Sequence, residues 1–546
     1  MNISRTILRS ISLLAFAVLM SACGGESGGP FSVSPGSLSF SAQIDGTAPA
    51  SKTLTITANE ANAAVPDIIA SGNAIDFGAS SSCAGGNEAN LACTLSSDDT
   101  KIYVTVPVPD PDVLGIGTHT GSIAITSGGH TNSVSVTYTV EAGTPAVSQV
   151  SPYVTVSGQT QTVTIRGGGF TNFGTTIPTV SFGGTPGTNA TVVNDTTITV
   201  DTPSLFAQPQ GYEVTVSGSS VNFPSSATLK VISTTNYADA SIAYNSAPPR
   251  KVLFDDERRA IYAVNAIDNR LEKYTYNGSS WDATPTTLSL SGTTIADVAL
   301  STDGSTLIMV KNDNFVYEVN PDTMLLQGST QAYTPFTGTL NCSSYDACLD
   351  RVAHTSDGRI MAVNNNTSYV RDFYLYDPAS NTVEASSNLF TYPDNGLRSP
   401  EVYGSATGDR VFLTDTYDPR FYDSMNRSFI SFSSASADPV ALDGDGTVIA
   451  SGYNVYKDSG LGYNSQSTIP GSGTIDAMAL SYDGNTAYIY RAGDIEAYDI
   501  SLASPPPATP VTPMASPGTG VQMILSRDEG TAILAGSSAL VIVDLP

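Results

Sequence analysis

Charged residues are scarce in this chain of 546 residues, in which Asp, Glu, Lys and Arg together make up 13%. A polar residue, charged in most cases, nevertheless stands at the start of seven similar apolar phrases in the second half of the sequence. These positions hold Arg250, Lys251, Asp297, Asp350, Arg351, Glu401, Asp438, Asp476 and Gln522. If the phrases meet around one axis, these side chains form a polar, net acidic ring that favours a cation, Ca²⁺ included, or a ligand with amino and hydroxyl groups. The alternative is that junctions between loops and strands are hydrated and tolerate charge without any function.

The phrase that positions these residues is an apolar strand, a turn of the Ser-x-Asp-Gly type and a second apolar strand. The clearest copies are DVALSTDGSTLIMV from Asp297, RVAHTSDGRIMAV from Arg351 and AMALSYDGNTAYIY from Ala477. Looser copies begin at Lys251, Glu401, Pro439 and Gln522. Seven copies at a spacing of about 40 to 55 residues are typical of propeller blades built from four-stranded sheets. The pattern therefore predicts a seven-bladed β-propeller over residues 233–546, with the first strand of each blade around a central channel.

Two details of the repeats carry further predictions. The last copy offers only three strands, so we expect residues 238–245 to supply its outer strand and join the first blade to the last. The Asp-Gly pairs are expected at the hairpin turns, because Asp and Gly tolerate the backbone angles of such turns. Asp443 to Gly446 look like a calcium loop, but their register and the missing later Glu favour another turn. The pattern is similar to the YVTN or lactonase-like propellers of bacterial surface proteins.

Composition limits the class of protein. Acidic residues outnumber basic ones by 50 to 23, for a formal net charge of −27, and such a surface repels the phosphate backbone of nucleic acids. Thr, Ser, Val and Tyr fill alternating runs and no long segment has helical period, which predicts an all-β fold. The length exceeds what one core supports and predicts about three domains.

The first 23 residues, MNISRTILRSISLLAFAVLMSAC, combine a basic start, an apolar run too short to span a bilayer as a mature helix, and small residues before Cys23. This segment resembles a bacterial lipoprotein signal, with Met20 where that family usually has Leu. The resemblance implies that residues 1–22 are removed, that the thiol of Cys23 is lipidated, and that residues 23–30 are a Gly-rich tether. Gly24 in place of Asp implies the outer membrane or the cell surface. A secreted protein cut nearby is the alternative.

Two segments with strand alternation precede the repeats. The runs VSPGSLSF from Val33, THTGSIAI from Thr118 and VSVTY from Val134 resemble a BACON-type immunoglobulin-like domain, assigned to residues 31–142. The runs PAVSQVSP from Pro145, VTIRGGGF from Val163, VSFGG from Val180, TITVDTP from Thr197 and YEVTV from Tyr212 resemble an IPT/TIG domain, assigned to residues 143–232. In the second segment Gly167 to Gly169 are expected to form a tight turn that lets Phe170 enter the core, and Gly183 and Gly184 a hairpin.

The remaining cysteines form two local pairs, Cys83 with Cys93 and Cys342 with Cys348, and an exported compartment permits disulfides. We interpret both pairs as structural staples. Their spacing and the presence of only three histidines do not indicate a zinc site.

These observations favour a monomeric cell-envelope lipoprotein without enzymatic activity, in which the propeller binds a protein or glycan and the immunoglobulin-like domains act as spacers. It would need no cofactor. One alternative is a propeller enzyme with lactonase-like or lyase-like chemistry, since a pair of carboxylates could act as acid and base. The other is a structural component of an envelope assembly.

Overall fold

The computed structural model describes residues 30–546 apart from several short gaps. The gaps are residues 45–47, 60–66, 73–74, 76–91, 97–99, 219–220, 236, 245, 266, 291–293, 312–314, 328–348, 365–372, 379–381, 386–400, 415–418, 425–427, 433–438, 461 and 503–508. Cys23, Cys83, Cys342, Cys348 and Asp438 lie outside the described residues, so the lipid anchor and both disulfides stay predictions. The chain divides into two compact units, Met1–Glu141 and Ala142–Pro546, and each is described here by itself.

The first unit is a sandwich of two four-stranded sheets with strand orders β1-β3-β6-β5 and β2-β8-β7-β4. Its elements are β1 (Phe31–Ser34), β2 (Ser37–Gln43), β3 (Lys52–Ala58), β4 (Asp67–Gly72), β5 (Ala92–Leu95), β6 (Lys101–Val106), the single helical turn α1 (Pro111–Leu114), β7 (Gly117–Ser127) and β8 (His130–Glu141). Strands β2 and β8 pair in parallel, and the other pairs are antiparallel.

Alternation of apolar and polar residues explains the core of this sandwich. In β3 the side chains of Leu54 and Ile56 are buried, whereas the residues between them face outward. Tyr138 of β8 is fully buried and packs edge-on against Phe40. A period of two puts every second side chain on one face, so each sheet is apolar only toward its partner.

The IPT/TIG-like segment opens the second unit as another sandwich, with strand orders β14-β15-β11-β9 and β10-β17-β16-β12-β13. Its strands are β9 (Ala146–Ser151), β10 (Val154–Val156), β11 (Thr162–Gly168), β12 (Thr179–Phe182), β13 (Thr185–Pro186), β14 (Thr188–Asn194), β15 (Thr197–Asp201), β16 (Gln208–Ser217) and β17 (Thr228–Ile232). A single 3₁₀ turn spans Phe170–Phe173.

The glycine positions predicted for this sandwich are confirmed. Gly167 lies so close to the carbonyl oxygen of Ala146 that a Cβ atom would stand 2.0 Å from it, which no side chain could tolerate. After this glycine run Phe170 is fully buried and stacks on Phe223 at a centroid distance of 5.7 Å. Gly183 and Gly184 have φ of 56° and 86° and form the hairpin between β12 and β13.

The rest of the second unit contains seven antiparallel sheets in the described part of the chain. The elements are β18 (Ala240–Ala243); sheet I with β19 (Lys251–Asp255), β20 (Ala260–Asn265), β21 (Arg270–Thr275) and β22 (Thr286–Ser289); sheet II with β23 (Ile295–Leu300), β24 (Leu307–Lys311), β25 (Val316–Asn320) and β26 (Leu325–Leu326); sheet III with β27 (Leu349–His354), β28 (Ile360–Asn364), β29 (Phe373–Asp377) and β30 (Thr382–Ala385); sheet IV with β31 (Val402–Gly404), β32 (Arg410–Leu413), β33 (Arg420–Asp423) and β34 (Ser428–Ser431); sheet V with β35 (Val440–Leu442), β36 (Val448–Ser451), β37 (Asn454–Asp458) and β38 (Tyr463–Thr468); sheet VI with β39 (Ala477–Leu480), β40 (Thr486–Arg491) and β41 (Asp494–Asp499); and sheet VII with β42 (Gln522–Leu525), β43 (Thr531–Ala535) and β44 (Ala539–Asp544). The all-β prediction is confirmed, and each of the seven repeats forms the first two strands of one sheet.

The Asp-Gly turns join those first two strands, as predicted. Gly304 has a φ of 68° at the turn between β23 and β24, and the carboxylate of Asp303 accepts hydrogen bonds from the Ser301 hydroxyl at 2.6 Å and the Ser305 amide at 3.0 Å. Burial alone would raise the pKa of Asp303, but these hydrogen bonds outweigh it and hold the pKa below its usual range. Asp443 plays the same part in sheet V, where it accepts the Val448 amide at 3.0 Å, so the turn interpretation of this motif is confirmed.

Among the described residues, seven apolar cores lie between neighbouring sheets. The second strand of sheet I shows why, because Ile261 and Ala263 belong to the core shared with sheet VII, whereas Tyr262 and Val264 belong to the core shared with sheet II. Each first strand also contacts the first strands of the two adjacent sheets, and β42 of sheet VII contacts β19 of sheet I. The sheets thus form a closed circuit of contacts, which we call the seven-sheet ring.

The circuit closes through the strand pairing that the sequence predicts. Strand β18 pairs antiparallel with β44 and becomes the outer strand of sheet VII. Its Ile242 is 7% exposed and packs in the core between sheets VII and I, together with Leu540 and Ile542. This core therefore depends on residues that precede the first repeat.

We expect Ile242→Ala to lower the free energy of unfolding of the second unit by about 2 to 4 kcal/mol, since it removes buried apolar volume at the closure. Urea denaturation followed by circular dichroism measures this loss. Ser241→Ala is the matched control, because Ser241 is exposed on the same strand and its loss should change the free energy by less than about 0.5 kcal/mol. Equal urea midpoints for wild type and Ile242→Ala would contradict a structural role for the closing strand.

Candidate functional site

The first strands of all seven sheets surround one cavity of about 650 Å³. They contribute small and aliphatic side chains along its length, such as Ala299, Ala353, Leu442, Ala479 and Leu525. Each of these strands is the terminal strand of its sheet in the described part of the chain, so its free backbone edge borders the cavity. The cavity is thus lined by apolar side chains and by peptide groups.

The predicted ring residues meet at the end of the cavity where the first strands begin. Arg250 donates two hydrogen bonds from one nitrogen to the carboxylate of Asp350, at 2.8 and 2.7 Å. Arg351 lies between the two acids and donates to both oxygens of Glu401 and to Asp350. Sheets I, III and IV are therefore linked across the opening by two arginines and two carboxylates, a network we call the mouth.

Two further predicted residues have a structural role at the mouth. Asp297 is 1% exposed, accepts the amides of Val298 and Val352 at 2.9 and 3.0 Å, and lies 3.6 Å from the ammonium of Lys251. The amide group of Gln522 accepts from the Val252 amide at 3.2 Å and donates to the Arg250 carbonyl at 2.6 Å. Because these groups satisfy backbone atoms of the next sheet, they bind neighbouring sheets together.

The remaining predicted positions do not join this network. Asp476 is exposed and does not line the cavity, and Asp438 lies outside the described residues. The paired part of the ring holds three bases and three acids, so it is neutral, and the expectation of a net acidic ring, which includes Asp438 and Asp476, stays a prediction. Within the described ranges, no group of three His, Cys, Asp or Glu residues is placed to hold a metal ion.

The opposite end of the cavity is covered by the IPT/TIG-like sandwich. Pro152, Tyr153 and Val154 line this end, and the Tyr153 ring packs on Gly304, where a Cβ atom would lie 2.0 Å from the ring. The Tyr153 hydroxyl is 3.5 Å from the carboxylate of Asp255. Burial, with the charge of Asp255 second, raises the pKa of Tyr153 well above its usual range, so the phenol keeps its proton. We call this covered end the floor.

Polar contacts hold the sandwich against the turns of the seven-sheet ring. The Gln149 amide donates to the Thr302 hydroxyl at 2.6 Å, and the Ser151 hydroxyl donates to the Thr407 carbonyl at 2.7 Å. On the other side of the floor Arg527 donates to the Gln161 side chain at 3.0 Å. The contacts involve several sheets, which fixes the orientation of the sandwich.

Arg166 is the buried centre of this interface. Its guanidinium donates to the Thr197 hydroxyl at 2.8 Å and to the Ser356 hydroxyl at 2.7 Å, and it lies 3.8 Å from the carboxylate of Asp409. Burial raises the pKa of Asp409, and the hydrogen bond from Ser356 and the charge of Arg166 oppose that rise. Removing one member of such a buried pair costs about 3 to 5 kcal/mol, because the other charge then has no partner.

The floor is rich in carboxyl groups, of which the sequence singles out only Asp443, as part of a turn. Asp255, Asp256, Asp443 and Glu529 line it together with Arg527, whose guanidinium lies 3.3 Å above the ring of Tyr482. Burial raises the pKa of Asp256 to about 7, against the lowering effect of the Arg527 amide and charge. The only sequence signal for these residues was their place at or beside repeat turns.

His354 also lines the cavity. Its Nδ1 lies 3.3 Å from the amide nitrogen of Thr302. Burial lowers the pKa of His354, although the charges of Asp303 and Asp357 oppose this. A neutral imidazole can accept the Thr302 hydrogen bond, so His354 helps to join sheets III and II.

Comparison with known proteins identifies one family in this chain. Residues 145–231 match the family model of the IPT/TIG domain, and the resemblance inferred from the sequence is confirmed for this segment. A search of curated proteins found no match to the chain. None of the helices in the described ranges is long and apolar enough to cross a membrane.

We expect Asp256→Asn to raise the free energy of unfolding of the second unit, relative to the wild type, by more at pH 8 than at pH 4. A carboxyl with a pKa of about 7 in the folded state and 3.8 in the unfolded state binds more protons when folded. Stability is therefore lost as the pH rises from about 4 through 7, and the amide removes that loss. After allowance for water in the cavity, the difference between the two pH values should be about 1 to 3 kcal/mol.

Urea denaturation of the wild type and the variant at pH 4, 6 and 8 measures this effect. Asp476→Asn is the matched control, because it changes an exposed carboxyl of the same unit. A pH profile of Asp256→Asn that runs parallel to that of the wild type would show that Asp256 ionises normally.

Proposed function

We propose that this chain is a cell-envelope lipoprotein whose seven-sheet ring is a seven-bladed β-propeller, similar to YVTN or lactonase-like propellers, that binds a ligand in its central channel without chemical turnover. The closed circuit of first-strand contacts and the seven cores between sheets support the propeller. The strand pairing that joins β18 to sheet VII supports closure of the blades.

One observation carries the binding function. The first strands of all seven sheets converge on a single cavity of about 650 Å³, within the usual range of ligand sites. The IPT/TIG-like sandwich covers the floor through Tyr153, whereas the mouth presents charged side chains of both signs. A ligand would therefore reach the channel through the mouth.

In the proposal, the other parts of the chain hold the mouth away from the membrane, where a ligand can reach it. In the proposal, lipidation of Cys23 anchors the chain in the outer membrane, the residues up to 30 form a tether, and the first sandwich is a BACON-like spacer. A propeller enzyme and a structural part of an envelope assembly are the competing functions.

The lipid anchor has its own test. Cys23→Ser should move the chain from the membrane fraction to the soluble fraction of bacterial cells, because the acyl chains that hold it are lost. Labelled palmitate should enter the wild type and not the variant. Membrane retention of Cys23→Ser would remove the anchor from the proposal.

Gly404 allows a direct test of the channel. It lies exposed on the first strand of sheet IV and lines the cavity, and a Cβ atom there would meet only Ala353, at 3.4 Å. We expect Gly404→Phe to fill the channel with little loss of stability. Binding to a printed glycan array and a synthetic peptide array should fall at least tenfold, which corresponds to about 1.4 kcal/mol.

Gly36→Phe is the matched control, because a Cβ atom at Gly36 meets nothing within 4 Å and the position lies in the first unit. Mass spectrometry of the released ligand separates binding from turnover: an unaltered ligand supports binding, and a cleaved one supports the enzyme. Equal array binding by wild type and Gly404→Phe would exclude the channel as the binding site.

A further inference from the structure

The two ends of the cavity differ in the charged groups that they present to a ligand. The mouth holds three bases and three acids and is neutral, but its bases are more accessible than most of its acids. At the floor the lining includes four acids and one base, which are Asp255, Asp256, Asp443, Glu529 and Arg527, and Asp255 is paired with Arg258. A ligand that spans the cavity therefore meets exposed bases at one end and an excess of carboxyl groups at the other, which selects for a dipolar molecule.

The bases of the mouth are more accessible than most of the acids that balance them. The side chains of Arg250 and Lys251 are 31% and 30% exposed, whereas those of Asp297 and Asp350 are 2% and 8% exposed. Glu401 is accessible, but both of its oxygens accept hydrogen bonds from Arg351. The ammonium of Lys251 is 3.6 Å from its nearest carboxylate, which leaves hydrogen-bonding capacity for an incoming anion.

Asp256 is the floor carboxylate with most capacity for a ligand. One of its oxygens accepts the Arg527 amide at 2.9 Å, and among the described residues no donor contacts the other oxygen. In contrast, Asp443 accepts hydrogen bonds from Val448 and Thr447, and Glu529 accepts from Tyr482 and Tyr488. An ammonium group at the floor would give Asp256 the donors that it lacks.

The size of the cavity limits the ligand to one extended chain. The longest first strands have six residues, so the channel is about 20 Å long at 3.3 Å per residue. A volume of about 650 Å³ then gives a mean cross-section of about 33 Å², smaller than the ~48 Å² of an average peptide strand in stacked sheets. The channel holds one chain with small side chains, of roughly six residues.

The walls suit a peptide. The free edges of the first strands offer backbone donors and acceptors beside small apolar side chains, as in strand addition to a sheet edge. We propose that the channel binds the amino-terminal end of a linear peptide with small apolar residues, its ammonium at Asp256 and a carboxylate about six residues along at Arg250 and Lys251. This inference rests on the proposed binding function of the channel.

The probe is a pool of peptides of about six residues made of Ala, Val, Ser and Gly, prepared with free termini, with an acetylated amino terminus, or with an amidated carboxyl terminus. The peptides are dialysed to equilibrium against the intact chain, and mass spectrometry of the retained peptides gives the dissociation constants. We expect acetylation and amidation each to weaken binding of the retained peptides about tenfold or more. Gly404→Phe should abolish retention of all three pools.

Two variants test the orientation. Asp256→Asn should remove the difference between free and acetylated peptides and keep the difference between acid and amide. Lys251→Gln should remove the difference between acid and amide and keep the difference between free and acetylated peptides. Asp476→Asn is the control that should change neither difference, and thermal melts establish that each variant is folded. The comparison of the three pools on the wild-type protein needs no variant, so it tests both ends of the ligand even if a variant does not fold.

Each other outcome overturns the inference. Equal binding of acetylated and free peptides would exclude the ammonium at the floor, and tight binding of a linear polyamine instead would show that the mouth does not select an anion. Retention of a glycan in place of peptides, lost in Gly404→Phe, would overturn the peptide and leave the channel function standing. If no array ligand and no peptide of the pools is retained, both proposals fail.

Discussion

Burial of both faces of every sheet is the constraint on which the seven-sheet ring depends. A single sheet of three or four short strands cannot form a core by itself, and here each one buries one face against the preceding sheet and the other against the following sheet. For this reason the second strands are mostly apolar: β20 is AIYAVN and β43 is TAILA, and every residue of these two strands is buried. The arrangement leaves no outer apolar face only if the circuit closes, so closure and core formation are one requirement.

The cavity follows from the same constraint. Seven first strands that must contact each other side by side leave a space at the centre, and their free edges border it. Its chemical character comes from the two ends. At the mouth, ion pairs between sheets leave the bases exposed, and at the floor the Tyr153 ring and the repeat turns bring carboxyl groups into a covered space. The difference between the two ends of the cavity therefore follows from the way the sandwich covers the floor and from the ion pairs that link the sheets at the mouth.

Sequence periodicity and turn chemistry predicted the structural features that are formed by residues close in sequence or that recur in each repeat. The seven hairpins, the turns at Gly304 and Asp443, the closing strand at 240–243 and the glycine run before Phe170 all follow from spacing and turn chemistry. The partners of the mouth residues could not be predicted in this way. Asp297 and Gln522 look like free polar groups in the sequence, and only the register between sheets shows that they satisfy backbone amides. Docking of the IPT/TIG-like sandwich also could not be predicted from the sequence, because Arg166 and Tyr153 belong to no repeat and their partners Ser356 and Asp255 lie 190 and 102 residues away.

The pairing of β18 with β44 joins segments about 300 residues apart. Loop closure over such a distance is entropically unfavourable and slow, so the individual hairpins should form well before the ring does. Until that moment the outer edge of sheet VII and the core between sheets VII and I are open to water and to other chains. The folding intermediate, more than the native protein, is thus the species that a chaperone or a neighbouring copy would meet, and the lifetime of that intermediate sets the yield of correctly folded protein.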